Sequence, residues 1–325
     1  MVHSAKLNVI TQDYVFYKRG ANVKYHKSKL KKFCILLILV LEIMKLPLMS
    51  VKISALELNA NSVIAYNALN VEKIAYSAQD LNSIIKNQLA QRETSFNIRY
   101  KADTSSLKTI IATGIQGILK ADDYLESCII SYQCSYEGYE NDVTVNFAFN
   151  FYTTKIQEDY VNSQVTAILK DIIKISMNDD QKEKVIHDYI LTHVAYDTTV
   201  TKFSAYEALK NGTTVCNGYA QLAYKLLNES GIETKMVLGK GNGVDHAWNL
   251  VKLRDTWYHL DCTFDDPLPD VKGRVLYDYF NLNDEKISKD HNFEKLDYPA
   301  AAKVYTYKAP VMQFTKPVNA TEVTS

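Results

Sequence analysis

Apolar positions across residues 61–91 recur at helical spacing, with Val71, Ile74, Leu81, Ile84, Ile85 and Leu89 on one face, which predicts an amphipathic helix. Phe96 to Tyr100 alternates as a short strand, and 106–119 returns to a helical period. Leu125 to Tyr136 and Val143 to Tyr152 read as two strands about a turn at 137–142. A second unit starts near Thr153. Val161, Val165, Ile168, Leu169, Ile172 and Ile173 line one helix face. Asp179 and Asp180 are expected to cap the next helix, which runs through Val185, Ile186, Tyr189 and Ile190. Ser204 to Lys210 predicts a short helix ended by Asn211-Gly212. Cys216 opens another through Leu227, stopped by Gly231. The pattern then turns to strands at Thr234–Leu238, His246–Leu253 and Trp257–Phe264. The expected class is α+β.

Length and charge refine this picture. The 325 residues allow one large domain or two modest ones. With 47 % apolar and 23 % charged residues, the chain is neither wholly disordered nor a polytopic membrane protein. Its 37 basic and 37 acidic residues cancel, but residues 1–50 hold nine basic and two acidic ones, so the remainder carries a net −7. Nucleic-acid binding needs a basic surface, so no nucleic-acid partner is expected. The basic stretch 24–32 precedes an unbroken apolar run at 33–41, then Glu42, Lys45, Pro47 and small residues. That order describes a secretory signal peptide, and the run is short against the ~20 residues of a transmembrane helix. Secretion or cell-surface display is expected, with cleavage after Ala55 or Ala60 and membrane contact only through an uncleaved N-terminal segment. Residues 1–22 are long for such a leader, and translation from Val23 would account for them. The expected division is a leader or anchor at 1–55, an α+β domain at 56–152, a second domain at 153–304 and a flexible tail at 305–325.

Five cysteines are present: Cys34, Cys128, Cys134, Cys216 and Cys262. Cys34 lies in the leader. Cys128 and Cys134 fall in one expected strand, where six residues span roughly 20 Å, too far for a disulfide. No spacing matches a zinc-ligand pattern. Cys216 is distinct because it starts a helix, where free N–H groups and the helix dipole favour a thiolate. Gly218 just beyond it would let a substrate backbone approach. A buried, inert Cys is the plain alternative for any single cysteine. His246 follows the run Gly239–Gly243, read as a loop between two strands, and is placed to act as a base. Asp261 lies on the next strand, and the short link at 254–256 makes the two strands antiparallel neighbours. A carboxylate in an apolar strand needs a partner, and His246 is the nearest cationic candidate. Nucleophile, base and orienter then follow in order.

Val215-Cys216-Asn217-Gly218-Tyr219-Ala220, His246-Ala247-Trp248-Asn249 and Trp257 through Pro267 resemble the three core motifs of the transglutaminase-like superfamily. Ile186 to Ile190, Tyr196-Asp197 and Tyr277 to Leu282 resemble the flanking segments of its secreted bacterial members. The resemblance covers roughly 150–300. It implies a papain-like core in the second domain, with Cys216 as nucleophile, His246 as base and Asp261 as orienter, and needs no cofactor or metal. No Gln or Trp stands just upstream of Cys216 to complete an oxyanion hole. Tyr206 or Asn211 is the expected second donor, and Asn217, Gly218 and Trp248 are expected to bind substrate. Phe264 stands where many relatives carry Trp.

Rival chemistry is thinner. His187 and His193 are six apart on one helix and do not share a face, and they lack a His-Glu-x-x-His arrangement. His259 has the strand parity of Asp261 and could compete as base. Asp265, Asp266 and Asp270 could bind calcium, but a Pro-containing acidic turn explains them too. Asn211-Gly212-Thr213 and Asn319-Ala320-Thr321 match glycosylation sequons. Two functions follow. One is a secreted thiol enzyme acting on amide bonds of a protein or peptide, such as a cell-wall or surface protein, through an acyl-enzyme thioester. It would act as a cysteine peptidase or isopeptidase, or as a protein-glutamine acyltransferase. The other is a non-catalytic surface binding module that keeps the fold.

Overall fold

The computed structural model describes residues 10–17, 24–26 and 72–306. Of the expected leader at 1–55 only 10–17 and 24–26 are described, and its apolar run and the second sequon lie outside these residues. Strand β1 (Ile10–Tyr17) pairs antiparallel with β2 (Lys24–His26) and with the long β5 (Ile129–Tyr139). The sheet continues through β6 (Asp142–Phe151), β4 (Ser95–Tyr100) and β3 (Ile74–Ala75), in the order β2-β1-β5-β6-β4-β3.

The helix expected over 61–91 begins only at α1 (Ala78–Ala90). Ser77 caps it, accepting from the Asp80 N–H at 3.0 Å. Ile74 lies before that cap and joins β3, parallel to β4, while Val71 lies outside the described residues. Helix α2 spans Leu107–Lys120. A short α3 (Asp123–Cys128) replaces the start of the strand expected from Leu125, because Asp122 accepts from the Leu125 N–H and starts a helical turn. Cys128 therefore ends a helix while Cys134 sits in β5, and both thiols are free and buried. Leu81, Ile85, Leu89, Ile111 and Ile115 pack on Ile98, Val145, Phe147 and Phe149 of the sheet.

Beyond Thr153 come α4 (Lys155–Ile172) and α5 (Asp179–His193). Asn178, not the two aspartates, caps α5, in a reciprocal box with Gln181. Asp179 and Asp180 occupy its first turn, where their charge suits the helix dipole. The two-stranded pair of β7 (Ala195–Tyr196) and β8 (Thr213–Thr214) flanks α6 (Ala205–Asn211), which Gly212 ends at φ 64°. Helix α7 (Cys216–Glu229) crosses a four-stranded antiparallel sheet of order β11-β10-β9-β12. Its strands are β9 (Thr234–Gly241), β10 (Val244–Leu253), β11 (Thr256–Leu260) and β12 (His291–Asn292). Between β11 and β12 runs a single-turn helix, α8 (Asp284–Ile287). Most of the glycine run is strand, since β9 reaches Gly241 and only Asn242-Gly243 turns, both at positive φ. The β10–β11 turn is Arg254-Asp255, again both at positive φ, so the strands are antiparallel neighbours. Among the described residues no helix is long and apolar enough to cross a membrane.

The two cores meet beside the start of α7. Tyr124 and Cys128 pack with Ala220, Met236 and Ala247. The Asn217 amide donates to Ser127 O at 3.2 Å, and the Gln221 amide to Ser127 Oγ at 2.9 Å.

Candidate active site

Cys216 is the first residue of α7, half-buried, and the cap before it is Val215 in extended conformation. A valine cap offers no side-chain acceptor, so the N–H of Cys216 stays directed at the helix end. The helix is anchored by Tyr219, Ala220, Leu222, Ala223, Leu226 and Leu227, all buried. Gly218 serves this seating. A Cβ there would lie 1.9 Å from Thr214 Oγ1 and 2.7 Å from Ser204 O. The glycine expected to admit a substrate backbone instead admits the protein's own.

His246 comes in on β10, opposite Gly239 of β9. Its Nε2 lies 2.6 Å from Asp261 Oδ2, in surroundings that leave the ring 4 % exposed and the carboxylate 1 %. Nδ1 is then the ring nitrogen not engaged by Asp261, and Cys216 is near enough to act on the imidazole's charge. Burial works against a charged ring, but the Asp261 charge and hydrogen bond, and then Cys216, raise the imidazole to about 10. Trp248 stacks on the ring at 5.7 Å and Phe264 closes it at 4.8 Å. Gly241 makes the room, since a Cβ there would meet His246 Cδ2 at 3.0 Å and Phe264 Cζ at 2.9 Å.

Asp261 stands one residue past β11 rather than inside a strand. Its Oδ1 turns back to accept the N–H groups of Thr263 (2.9 Å) and Phe264 (3.1 Å), which stops the strand. Burial alone would raise this carboxyl. The charge and hydrogen bond of His246, followed by those of His291, hold it well below the usual carboxylate range. His291 has no counterpart in the sequence reading. Its Nε2 lies 2.9 Å from the same Oδ2, and its Nδ1 2.6 Å from Asp290 Oδ1.

His246, Asp261 and His291 are the metal-capable trio among the described residues, with ligand atoms within 4.8 Å of one another. Hydrogen bonds join these atoms, with both histidine Nε2 atoms on Asp261 Oδ2. Two tyrosines also belong to the neighbourhood. Burial, and then the charge of Cys216, raises the phenols of Tyr152 and Tyr196. Tyr152 directly follows β6 and stacks on Phe203 at 5.2 Å, a long-range placement that no local pattern announces.

Other candidates take structural roles. Tyr206 packs in the helical core, edge-on to Tyr160 at 5.5 Å. Asn211 bonds to Glu207 within its own helix. Asn217 spends its amide on Ser127 O and Phe203 O. Trp248 is 1 % exposed, too buried to touch substrate, and supports His246 from behind. His193 stacks on Tyr189 at 4.0 Å, and His187 pairs with Asp265. Asp265 also accepts the Tyr279 N–H, and Asp266 accepts the Tyr219 hydroxyl, so the acidic turn is occupied by internal donors.

Comparisons with known proteins find similarity to one family and to curated relatives. Residues 166–262 match the family model of the transglutaminase-like superfamily. Kyphoscoliosis peptidase of Mus musculus is 26 % identical over 154 residues, which is 40 % of this chain and 23 % of the relative. The Homo sapiens protein is 27 % identical over 162 residues, 41 % of this chain and 24 % of the relative. The chain thus spans about a quarter of the length of these curated relatives. A solved TGase structure shares 16 % identity over 62 % of this chain and 61 % of its own, with a TM-score of 0.25, too loose a superposition to bear on function. The matched residues 166–262 carry Cys216, His246 and Asp261 and resemble the transglutaminase-like superfamily.

Proposed function

We propose that the chain is a thiol enzyme acting on amide bonds, with Cys216 as nucleophile, His246 as acid and base, and Asp261 as orienter. The observation that carries this reading is His246 itself. Its Nε2 is held at 2.6 Å by a buried carboxylate, and Cys216 is near enough to help raise the ring. Cys216 Sγ attacks the carbonyl carbon, the C–N bond breaks, and the amine leaves with the proton His246 carried. The thioester is then cleaved by water, whose proton passes to His246, and the C–S bond breaks to release a carboxylate. An amine in place of water would give transamidation. The Cys216 N–H is one donor to the oxyanion, and the hydroxyls of Tyr152 and Tyr196 are candidates for the second.

Hydrolysis of peptide or isopeptide bonds is the favoured outcome, because water needs no acceptor site. The curated relatives are named peptidases, in keeping with that choice. The basic stretch and apolar run at 24–41 support action outside the cell, on a protein or peptide of the cell wall or surface.

The test is incubation of the full chain with a glutamine-rich unfolded protein and a fluorescent primary amine, with Cys216→Ser beside it. New N-termini that depend on Cys216 support the peptidase. Cys216-dependent amine incorporation supports the acyltransferase instead. Neither product, with the substrate still bound, would leave a binding module.

A further inference from the structure

We propose that His291 is a positioning residue of this site, holding Asp261 in place for His246 from the opposite side; the proposal rests on the catalytic reading above. Asp261 gives one oxygen to two imidazoles. Oδ2 accepts from His246 Nε2 at 2.6 Å and from His291 Nε2 at 2.9 Å. Oδ1 is taken by two backbone N–H groups. With three of its four bonds fixed by groups other than His246, the carboxylate keeps one orientation while His246 trades its proton.

His291 is itself held firmly. Both its nitrogens face carboxylate oxygens, Nε2 toward Asp261 and Nδ1 toward Asp290. Asp290 Oδ2 accepts the Tyr279 hydroxyl at 2.5 Å, and the Asp261 N–H donates to Tyr279 O at 3.1 Å. A closed circuit therefore runs from Asp261 through His291, Asp290 and Tyr279 back to the Asp261 backbone. The ring is fully buried, against Phe264 at 4.5 Å and Trp248 at 4.9 Å.

The sheet is built to admit it. β12 pairs with β9, setting His291 opposite Gly241, as β10 sets His246 opposite Gly239. A Cβ on Gly239 would lie 2.4 Å from Asn292 O and keep β12 away. The two glycines of β9 thus let both histidines close on one carboxylate.

The ionisable groups facing the pair are Cys216 and Asp261 around His246, and Asp261, Asp290, Tyr279 and His259 around His291. A glutamine at 291 can still donate an N–H to Asp261, whereas phenylalanine fills the space without donating.

The experiment follows iodoacetamide labelling of each cysteine of the full chain by mass spectrometry from pH 4 to 10. It compares wild type, His246→Ala, His291→Phe and His291→Gln. Labelling of Cys216 at pH 6 is expected to fall on the order of tenfold in His291→Phe, the loss of one hydrogen bond to a charged group. It should recover to within about threefold of wild type in His291→Gln, with Cys128 and Cys262 protected throughout. A His291→Phe profile that overlays wild type overturns the proposal and leaves the catalytic reading standing. Equal losses in both variants, together with exposure of Cys128 and Cys262, mean a purely structural role and also overturn it. If wild-type Cys216 labels no faster than its neighbours and His246→Ala changes nothing, the catalytic reading falls and takes this proposal with it.

Discussion

The indole N–H of Trp248 donates to His259 Nδ1 at 2.9 Å. That bond makes Nδ1 an acceptor and leaves the Nε2 proton for Asp284, 3.0 Å away. Burial lowers the His259 imidazole, ahead of the opposing pull of Asp284, so the ring stays neutral and fully engaged. This removes His259 as a rival base, although it lies two residues from Asp261. Trp248→Phe keeps an aromatic ring behind His246 but strips His259 of its donor. A stability loss of roughly 1–3 kcal/mol is expected in urea unfolding, with the pH profile of Cys216 labelling retained. Unchanged stability would argue that the bond contributes nothing.

Gly218 sets how closely α7 approaches the β8 segment. Gly218→Ala drives a methyl into Thr214 and the Ser204 carbonyl. The backbone carbonyl cannot move aside cheaply, so about 1–3 kcal/mol of destabilisation is expected. Thermal unfolding checks this. A neutral substitution would restore the idea that the glycine faces open space for substrate.

Asn217 ties the two cores together. Asn217→Ala leaves the carbonyls of Ser127 and Phe203 short of a donor, at a cost of roughly 1–3 kcal/mol. Hydrogen exchange should quicken around 127–130 while Cys216 labelling persists. Loss of Cys216 reactivity with no change in exchange would instead place Asn217 in the chemistry.

Glu183 makes stability depend on pH. It is fully buried on α5, and burial raises its carboxyl to about 8 against the opposing Asn281 hydrogen bond. Its Oε1 has no hydrogen-bond partner among the described residues, which favours the neutral acid. A carboxyl raised on folding binds more protons folded than unfolded. Its contribution is complete below the ordinary value of 4.5 and is lost as pH climbs toward 8. Glu183→Gln keeps the shape and removes the titration. The stability of the variant relative to wild type should rise across that window, by at most about 1.4 kcal/mol per pH unit. Urea midpoints at several pH values measure it, and parallel profiles would contradict it.

The local parts of this protein were legible in its sequence. Cys216 reads as a helix start because the apolar face of α7, through Ala220, Ala223, Leu226 and Leu227, begins just after it. His246 and Asp261 could be put on neighbouring strands because the Arg254-Asp255 link is too short for anything but a hairpin. Their contact was inferred only from the need of a buried carboxylate for a partner. Asp261 itself was misplaced inside a strand, since its own bonds to Thr263 and Phe264 end β11 one residue earlier. His291 was invisible for a different reason. A two-residue strand has no period to detect, and its pairing with β9 depends on glycines about 50 residues upstream. Leu125–Cys128 was read as the start of a strand because so short a segment fits either state, and the Asp122 cap decided it.

The pairing of Cys216 with His246 is the claim on which the functional account stands. The direct test is labelling of Cys128, Cys134, Cys216 and Cys262 from pH 4 to 9, in native protein and in His246→Ala. The account predicts that Cys216 alone reacts fast below pH 7 and that His246→Ala slows it. If Cys216 behaves like Cys128 and Cys262, or reacts only near the ordinary thiol value of about 8.5, the pair is not poised and the account is contradicted.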